Sequence, residues 1–221
     1  MSETPSVSAP WWQRHVELIV VILLGIVSVA TAYTSFQSAL YDGQRADAIS
    51  LSEAAGTEAE SLYLEGNQQY VQDSQTIQQL AVLQIAAANG DAVTQAQYDE
   101  LYFIAVSEEL DAAIQNAAAL DESDPDFWHD PQADEDYRST LFGAYGEKQL
   151  ESEELRDQGN GYNRAADTLG LYTAIMAITL FLLGIAAVVR RPLMQWILIV
   201  TGGGIFLVTA ILTGTIPFVW L

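Results

Sequence analysis

Residues 30–44 read ATAYTSFQSALYDGQ, a stretch that begins apolar enough for lipid and ends polar enough for water. Three readings compete for it: the end of a membrane helix, a signal-peptidase cut, or one helix that changes solvent. Ala30-Thr31-Ala32, following Arg14 and an apolar run, mimics an A-x-A cleavage site. Secretory apolar regions are shorter than this run, at roughly 7–15 residues, and no turn former precedes the mimic. The expectation is therefore a retained anchor whose helix continues through the stretch. Tyr33, Phe36 and Tyr41 then mark the membrane interface, with Asp42 and Arg45 the first charges in water.

Working outward, charge and hydrophobicity are segregated along the 221 residues. Half the chain is hydrophobic, yet its formal net charge is −21. Of 29 acidic residues, 27 lie between Asp42 and Asp167, alongside five basic ones. Such a region repels nucleic acid and anionic lipid, because phosphate binding needs clustered Lys and Arg. There is no cysteine, which removes disulfides, zinc ribbons and thiol chemistry. Acid richness with a single lysine also suits a salt-rich habitat.

Crossing a hydrocarbon core of ~30 Å takes roughly 20 apolar residues, and three segments qualify. They are residues 16–41, 168–189 and 193–216, the last two free of charge over LGLYTAIMAITLFLLGIAAVV and LMQWILIVTGGGIFLVTAILTGTI. Trp11, Trp12, Tyr33, Phe36, Tyr41, Trp196 and Trp220 sit where interfaces belong. Residues 190–192, Arg-Arg-Pro, leave room only for a tight helical hairpin. The tail 1–15 and that turn then share a side with Arg14, Arg190 and Arg191, and the positive-inside tendency makes it cytoplasmic. Residues 42–167 fall outside, and 217–221 form a C-terminal tail. The expected architecture is an all-α membrane protein of the cell membrane. Three transmembrane helices carry an acidic bundle or coiled-coil-like domain inserted between the first and second.

The acidic region never shows period-two patterning. Residues 44–88 lack proline and favour Ala, Glu, Gln and Leu, which predicts one helix of roughly 65 Å at ~1.5 Å per residue. Ala59, Tyr63, Gly66, Tyr70, Ser74, Ile77 and Ala81 mark its face, and Asn89-Gly90 its stop. Thr94 with Gln97 suggests a capping box for a second helix ending near Leu120. Two Asp-Pro pairs, at 124–125 and 130–131, resemble helix starts, so a last helix is expected from near Pro131 into the second membrane segment. Leu141, Tyr145, Lys148, Ser152, Leu155, Gly159, Tyr162, Ala166 and Leu169 keep four-three spacing along it. DQGNGYN at 157–163 reads as a kink or break.

Candidate chemistry is sparse. Asp121, Glu122, Asp124, Asp126 and Asp130 cluster before the last helix and invite a divalent cation, although EF-hand spacing is absent and solvated helix caps explain them. His129 has no second histidine at ligand spacing and no nucleophile elbow. No cofactor motif is present. Gly25, Gly184, Gly202, Gly203 and Gly204 permit close helix approach, as do the pairs Gly170/Ala174 and Ala210/Gly214, within one chain or between copies. Membrane threonines line a pore or, more commonly, bond back to their own helices.

ATAYTSFQSALYDGQRADAISLSEA resembles the start of a family of uncharacterised prokaryotic three-pass membrane proteins with a long helical domain between the first and second transmembrane helices. Tyr33, Phe36, Gln37, Ala39, Tyr41, Gly43 and Gln44 match that pattern in type, Tyr41 standing where tryptophan is usual. GNGYNRAADTLGLYTAIMAITLFLLGIA resembles its second landmark through Asn160, Phe181, Gly184 and Ile185. The resemblance implies this architecture and no activity. The expected role is a non-enzymatic scaffold, sensor or accessory subunit that binds lipid on one side and its own copies or a membrane-protein partner through the helical domain. An oligomeric cation channel with an acidic vestibule is the alternative.

Overall fold

A computed structural model describes residues 11–88, 90 and 92–220, with side chains from residue 15 onward, so the Trp11 and Trp12 rings lie outside the described side chains. Five helices run in order: α1 (Trp11–Ala87), α2 (Ala92–Ala105), α3 (Glu108–Ser123), α4 (Glu135–Val188) and α5 (Pro192–Thr213). A 3-10 turn, Pro131–Ala133, precedes α4. No strand occurs among the described residues. Residues 30–44 are helical throughout, inside the 77-residue α1.

The chain divides into two compact units, one of residues up to Ile49 with 156–221, the other Ser50–Leu155. In the first, α1, α4 and α5 each hold a stretch long and apolar enough to cross a membrane. Only 17–22% of each such stretch is buried. The remaining apolar side chains face outward, such as Val29, Phe181, Val188 and Val200. That surface is the inverse of one made for water and suits hydrocarbon, where helices satisfy their own backbone. Beneath it, Val16, Val20, Ala186 and Ile199 form one cluster and Val27, Met176 and Leu183 another. Rising numbers on α1 meet falling numbers on α4, so the two are antiparallel. Further along, Gly159 faces α1, where an added Cβ would lie 3.0 Å from Ile49 Cδ1.

In the second unit α1 and α4 again pair antiparallel, with α3 and the 3-10 turn packed against them. All nine α4 positions expected from the four-three spacing, Leu141 through Leu169 across both units, are buried or half-buried. On α1 five of the seven expected positions, Ala59, Gly66, Tyr70, Ser74 and Ile77, are buried or half-buried. Ser52, Ala55, Ala59, Gly66, Asp73, Thr76 and Leu80 are buried, whereas Tyr63 and Ala81 are exposed. The tightest approach is at Gly66, where a Cβ would fall 2.4 Å from the Leu141 carbonyl oxygen. Leu110, Ala113 and Tyr137 form the core there, with Tyr70, Ile77 and Leu141 packed against it.

Several helix ends differ from their local sequence signals. Gly90 ends the first helix at φ +89°, a left-handed conformation that glycine adopts without steric cost, while Asn89 is outside the described residues. Thr94 lies inside α2, which begins at Ala92, and so is no cap. The expected single helix to Leu120 is broken at Val106-Ser107. Ser107 Oγ accepts the Leu110 N–H at 3.2 Å, and Glu108, Glu109 and Asp111 follow in the first turn, favourable at the positive end of the helix dipole. Asp124 terminates α3 instead of starting a helix. Asp130 does cap, but it caps the 3-10 turn, through Gln132 N at 3.0 Å. Asp134 then accepts the Tyr137 N–H at 2.9 Å to start α4. α4 runs unbroken through 157–163, so DQGNGYN does not interrupt it. Its Gly159 relieves crowding against Ile49 and leaves the hydrogen-bond ladder intact.

Candidate functional site

Two built arrangements stand out, one in each unit. The first joins residues of the 30–44 stretch to the segment after α5. Helical spacing places Tyr33, Gln37 and Tyr41 on one face of α1, four residues apart. Gln37, nearly fully buried, grips the Val219 peptide with both ends of its amide: Nε2 donates to the carbonyl at 3.2 Å, and Oε1 accepts the N–H at 3.1 Å. Tyr41 Oη donates to the Pro217 carbonyl at 2.8 Å. Tyr33 stacks on Phe218, centroids 6.2 Å apart, and Phe218 meets Trp220 edge-on at 4.6 Å. Ser38 Oγ donates to Ala166 O at 2.9 Å. Side-chain groups thereby satisfy backbone polar atoms past the end of a helix, where no ladder partner exists. The residues of the interfacial pattern thus act as a clamp on residues 217–220.

The second is a cleft of about 960 Å³ between α1, the 3-10 turn and the start of α4. Tyr63, Asn67 and Tyr70 contribute from one face of α1, and Arg138, Phe142 and Tyr145 from one face of α4. The rings form a continuous wall: Tyr63–Tyr145 at 5.3 Å, Tyr63–Phe142 at 5.9 Å and Tyr70–Phe142 at 6.4 Å between centroids. Behind it lies a buried polar network. Gln132 Nε2 donates to Tyr70 O at 2.9 Å and its Oε1 accepts from Ser74 Oγ at 2.5 Å. Asp73, 1% exposed, accepts from Tyr137 Oη at 2.7 Å and Gln69 Nε2 at 2.8 Å. Burial, and then the Asp73 carboxylate, push the Tyr137 phenol above its ordinary range. Further along, Ser52 and Ser152 each donate to the other's carbonyl, at 2.7 and 2.8 Å, and pin α1 to α4. Sequence reasoning placed Tyr63 and Tyr70 on a packing face and missed the cleft. Its legible signal was aromatic residues at i and i+7 on one helix and i and i+3 on the other, with amide or guanidinium neighbours.

The acidic loop is organised by its own chain. Asp121 Oδ1 accepts from the His129 backbone N–H and lies 2.8 Å from its Nδ1, contacts that hold its carboxyl below the usual range. Asp124 ends α3, Asp130 caps the 3-10 turn, and Glu122 and Asp126 are exposed. Among the described residues no three His, Cys, Asp or Glu side chains converge on a metal position. Phe127 packs edge-on against the His129 ring at 5.0 Å.

Of the small residues, Gly202 is buried, with a Cβ there meeting Leu183 at 3.4 Å, and Gly170 faces Ser38 Oγ at 3.9 Å. Gly25, Gly184, Gly203 and Gly204 meet nothing within 4 Å of an added Cβ. Ala174 is exposed, Ala210 half-buried, and Gly214 caps α5 through its N–H to Ala210 O. Trp196, Trp220 and Phe36 are exposed, while Tyr41 is buried. No family model, curated protein or solved structure matches the chain.

Proposed function

We propose that this is a non-enzymatic membrane scaffold, sensor or accessory subunit. Its acidic helical domain, residues 42–167, is inserted between the first and second membrane helices and held outside the cytoplasm of the cell membrane. It associates there with further copies or with a membrane-protein partner. The observation that carries this reading is that α1 and α4 each pass without interruption from apolar into acidic sequence. Any partner held on the polar part is thereby tied to the anchor by helix and not by a flexible linker.

The threonines favour this reading over a cation pore. Thr31, Thr34, Thr173, Thr179, Thr209 and Thr213 each donate to the carbonyl four residues back. Hydroxyls used in this way are poor substitutes for an ion's hydration shell, and the one acid of the apolar segments, Glu17, lies at the very start of the first and not within its span.

Crosslinking in native membranes followed by mass determination tests the assignment. Discrete multiples of the chain mass, or one defined heteromeric band, are expected; a chain that stays monomeric and uncrosslinked refutes it. Because the chain has no cysteine, topology is read cleanly from single substitutions. Ser123→Cys should label from outside with a membrane-impermeant maleimide, and Arg190→Cys only after permeabilisation.

A further inference from the structure

We propose that the cleft between Tyr63, Arg138 and Phe142 binds a neutral carbohydrate of oligosaccharide size. This goes beyond the scaffold reading and stands without it, since the cleft lies wholly within the unit Ser50–Leu155.

Volume sets the scale. At about 960 Å³ the cleft sits at the upper end of small-molecule sites, ~300–1,000 Å³, and it is open along one side, with Tyr63 45% exposed. Its walls then select among ligand classes. An anion would find one guanidinium, Arg138, but also Asp130 and Glu135 in the same lining. It would also enter a region where 27 acidic residues face five basic ones. A small organic cation suits that field, yet a cation cage needs separate ring faces around a gap. Here the rings touch one another at 5.3–5.9 Å and make one wall, with Arg138 beside them.

A neutral sugar escapes both objections. Its C–H faces stack on an aromatic wall, and its hydroxyls each need a donor and an acceptor. The cleft supplies donors in Arg138 and Asn67, acceptors in Glu135 and Asp130, and hydroxyls in Ser139 and the tyrosines. Arg138 makes no ion pair with any described residue, which leaves its planar fork for the ligand. Gln132 in the lining is fixed by bonds to Tyr70 O and Ser74 Oγ, and the Tyr137–Asp73 bond braces the helices behind it, so the site is preorganised.

The test is calorimetric titration of the full chain in lipid nanodiscs, free of glycoside detergents. The probes are four tetramers: cellotetraose and chitotetraose as neutral ligands, the glucosamine tetramer as cation and tetragalacturonate as anion. Saturable binding of a neutral tetramer is expected, unchanged between 0.1 and 1 M salt, over which screening shortens from ~10 to ~3 Å. Tyr63→Ser and Arg138→Met, both at exposed positions and each checked for native helicity by circular dichroism, should each weaken it about tenfold. Glu135→Gln, which keeps an acceptor and removes the charge, should change it less than about twofold. Absence of heat with both neutral tetramers at millimolar concentration overturns the proposal, as does affinity unchanged in both Tyr63→Ser and Arg138→Met. Tighter, salt-sensitive binding of the glucosamine tetramer, lost in Glu135→Gln, overturns it in favour of a cation site.

Discussion

Gly66→Ala should destabilise the protein although alanine is the better helix former. In a helix interior that exchange ordinarily gains about 1 kcal/mol. At Gly66, however, the new Cβ would lie 2.4 Å from Leu141 O, 3.2 Å from Leu141 C and 3.2 Å from Phe142 Cδ1. The first of these is backbone, which cannot rotate away as a side chain can. Ordinary van der Waals contact begins near 3.4 Å, so the helices must part locally by close to an ångström. Gaps of that size forfeit a quarter to a half of each dispersion contact across them, and overpacking of this kind costs ~1–3 kcal/mol. The contacts at risk are Tyr63–Phe142, Tyr70–Phe142 and the packing of Leu141 on Leu110 and Tyr137. Taking about 3 kcal/mol lost against about 1 gained leaves a net destabilisation of about 2 kcal/mol. For a chain of this size that lowers Tm by roughly 4–8 °C. Gly161→Ala is the matched control. It lies on α4 where an added Cβ meets nothing within 4 Å, so it should raise Tm by a few degrees. Circular dichroism melts in lipid nanodiscs measure both. A Gly66→Ala protein as stable as its parent would refute the close approach of α1 and α4 at this point.

Three further outcomes follow from individual contacts. Tyr137 stays protonated above its ordinary value of 10.0 because its phenol is buried and donates to Asp73, so stability is intact below pH 10 and falls as pH rises beyond it. Melts at pH 8 and 11 should show that loss, and Tyr137→Phe should reduce the alkaline fall without abolishing it, since burial and Asp111 raise Tyr102 in the same direction, while costing ~1–3 kcal/mol at neutral pH by leaving Asp73 Oδ2 unpaired. Ser107→Ala removes the cap of α3 and should cost about 1 kcal/mol, read from the same melts, with Ser107→Asp restoring it. Gln37→Ala deletes two hydrogen bonds to Val219, each worth about 1 kcal/mol, and should speed hydrogen exchange at the Val219 amide; an unchanged exchange rate would contradict the clamp.

Much of the helical layout was legible because it depends on local physics. Apolar runs of about 20 residues, a proline-free stretch rich in good helix formers and a glycine at left-handed φ require no knowledge of neighbours. The heptad spacing of α4 reported its buried face position by position, since 3.5-residue periodicity is a property of one helix. The break at Ser107 was legible too: a serine followed by two glutamates is a start signal, but the helix-forming sequence on both sides masked it.

Partners, in contrast, were decided only in three dimensions. Asp73 resembles any solvated acid in an acidic helix, yet it is buried because Tyr137, 64 residues away, and Gln69 supply the hydrogen bonds that a buried carboxylate needs. DQGNGYN reads as a breaker because glycine and asparagine weaken an isolated helix, but packing of Gly159 against Ile49 outweighs that local preference. Gln37 is one polar residue near an interface until residue 219 arrives to meet its amide. Residue type and spacing determined which faces are apolar and where helices run. Which polar groups could be buried depended on complementary groups brought from far along the chain, because a buried hydrogen bond needs both partners at one place.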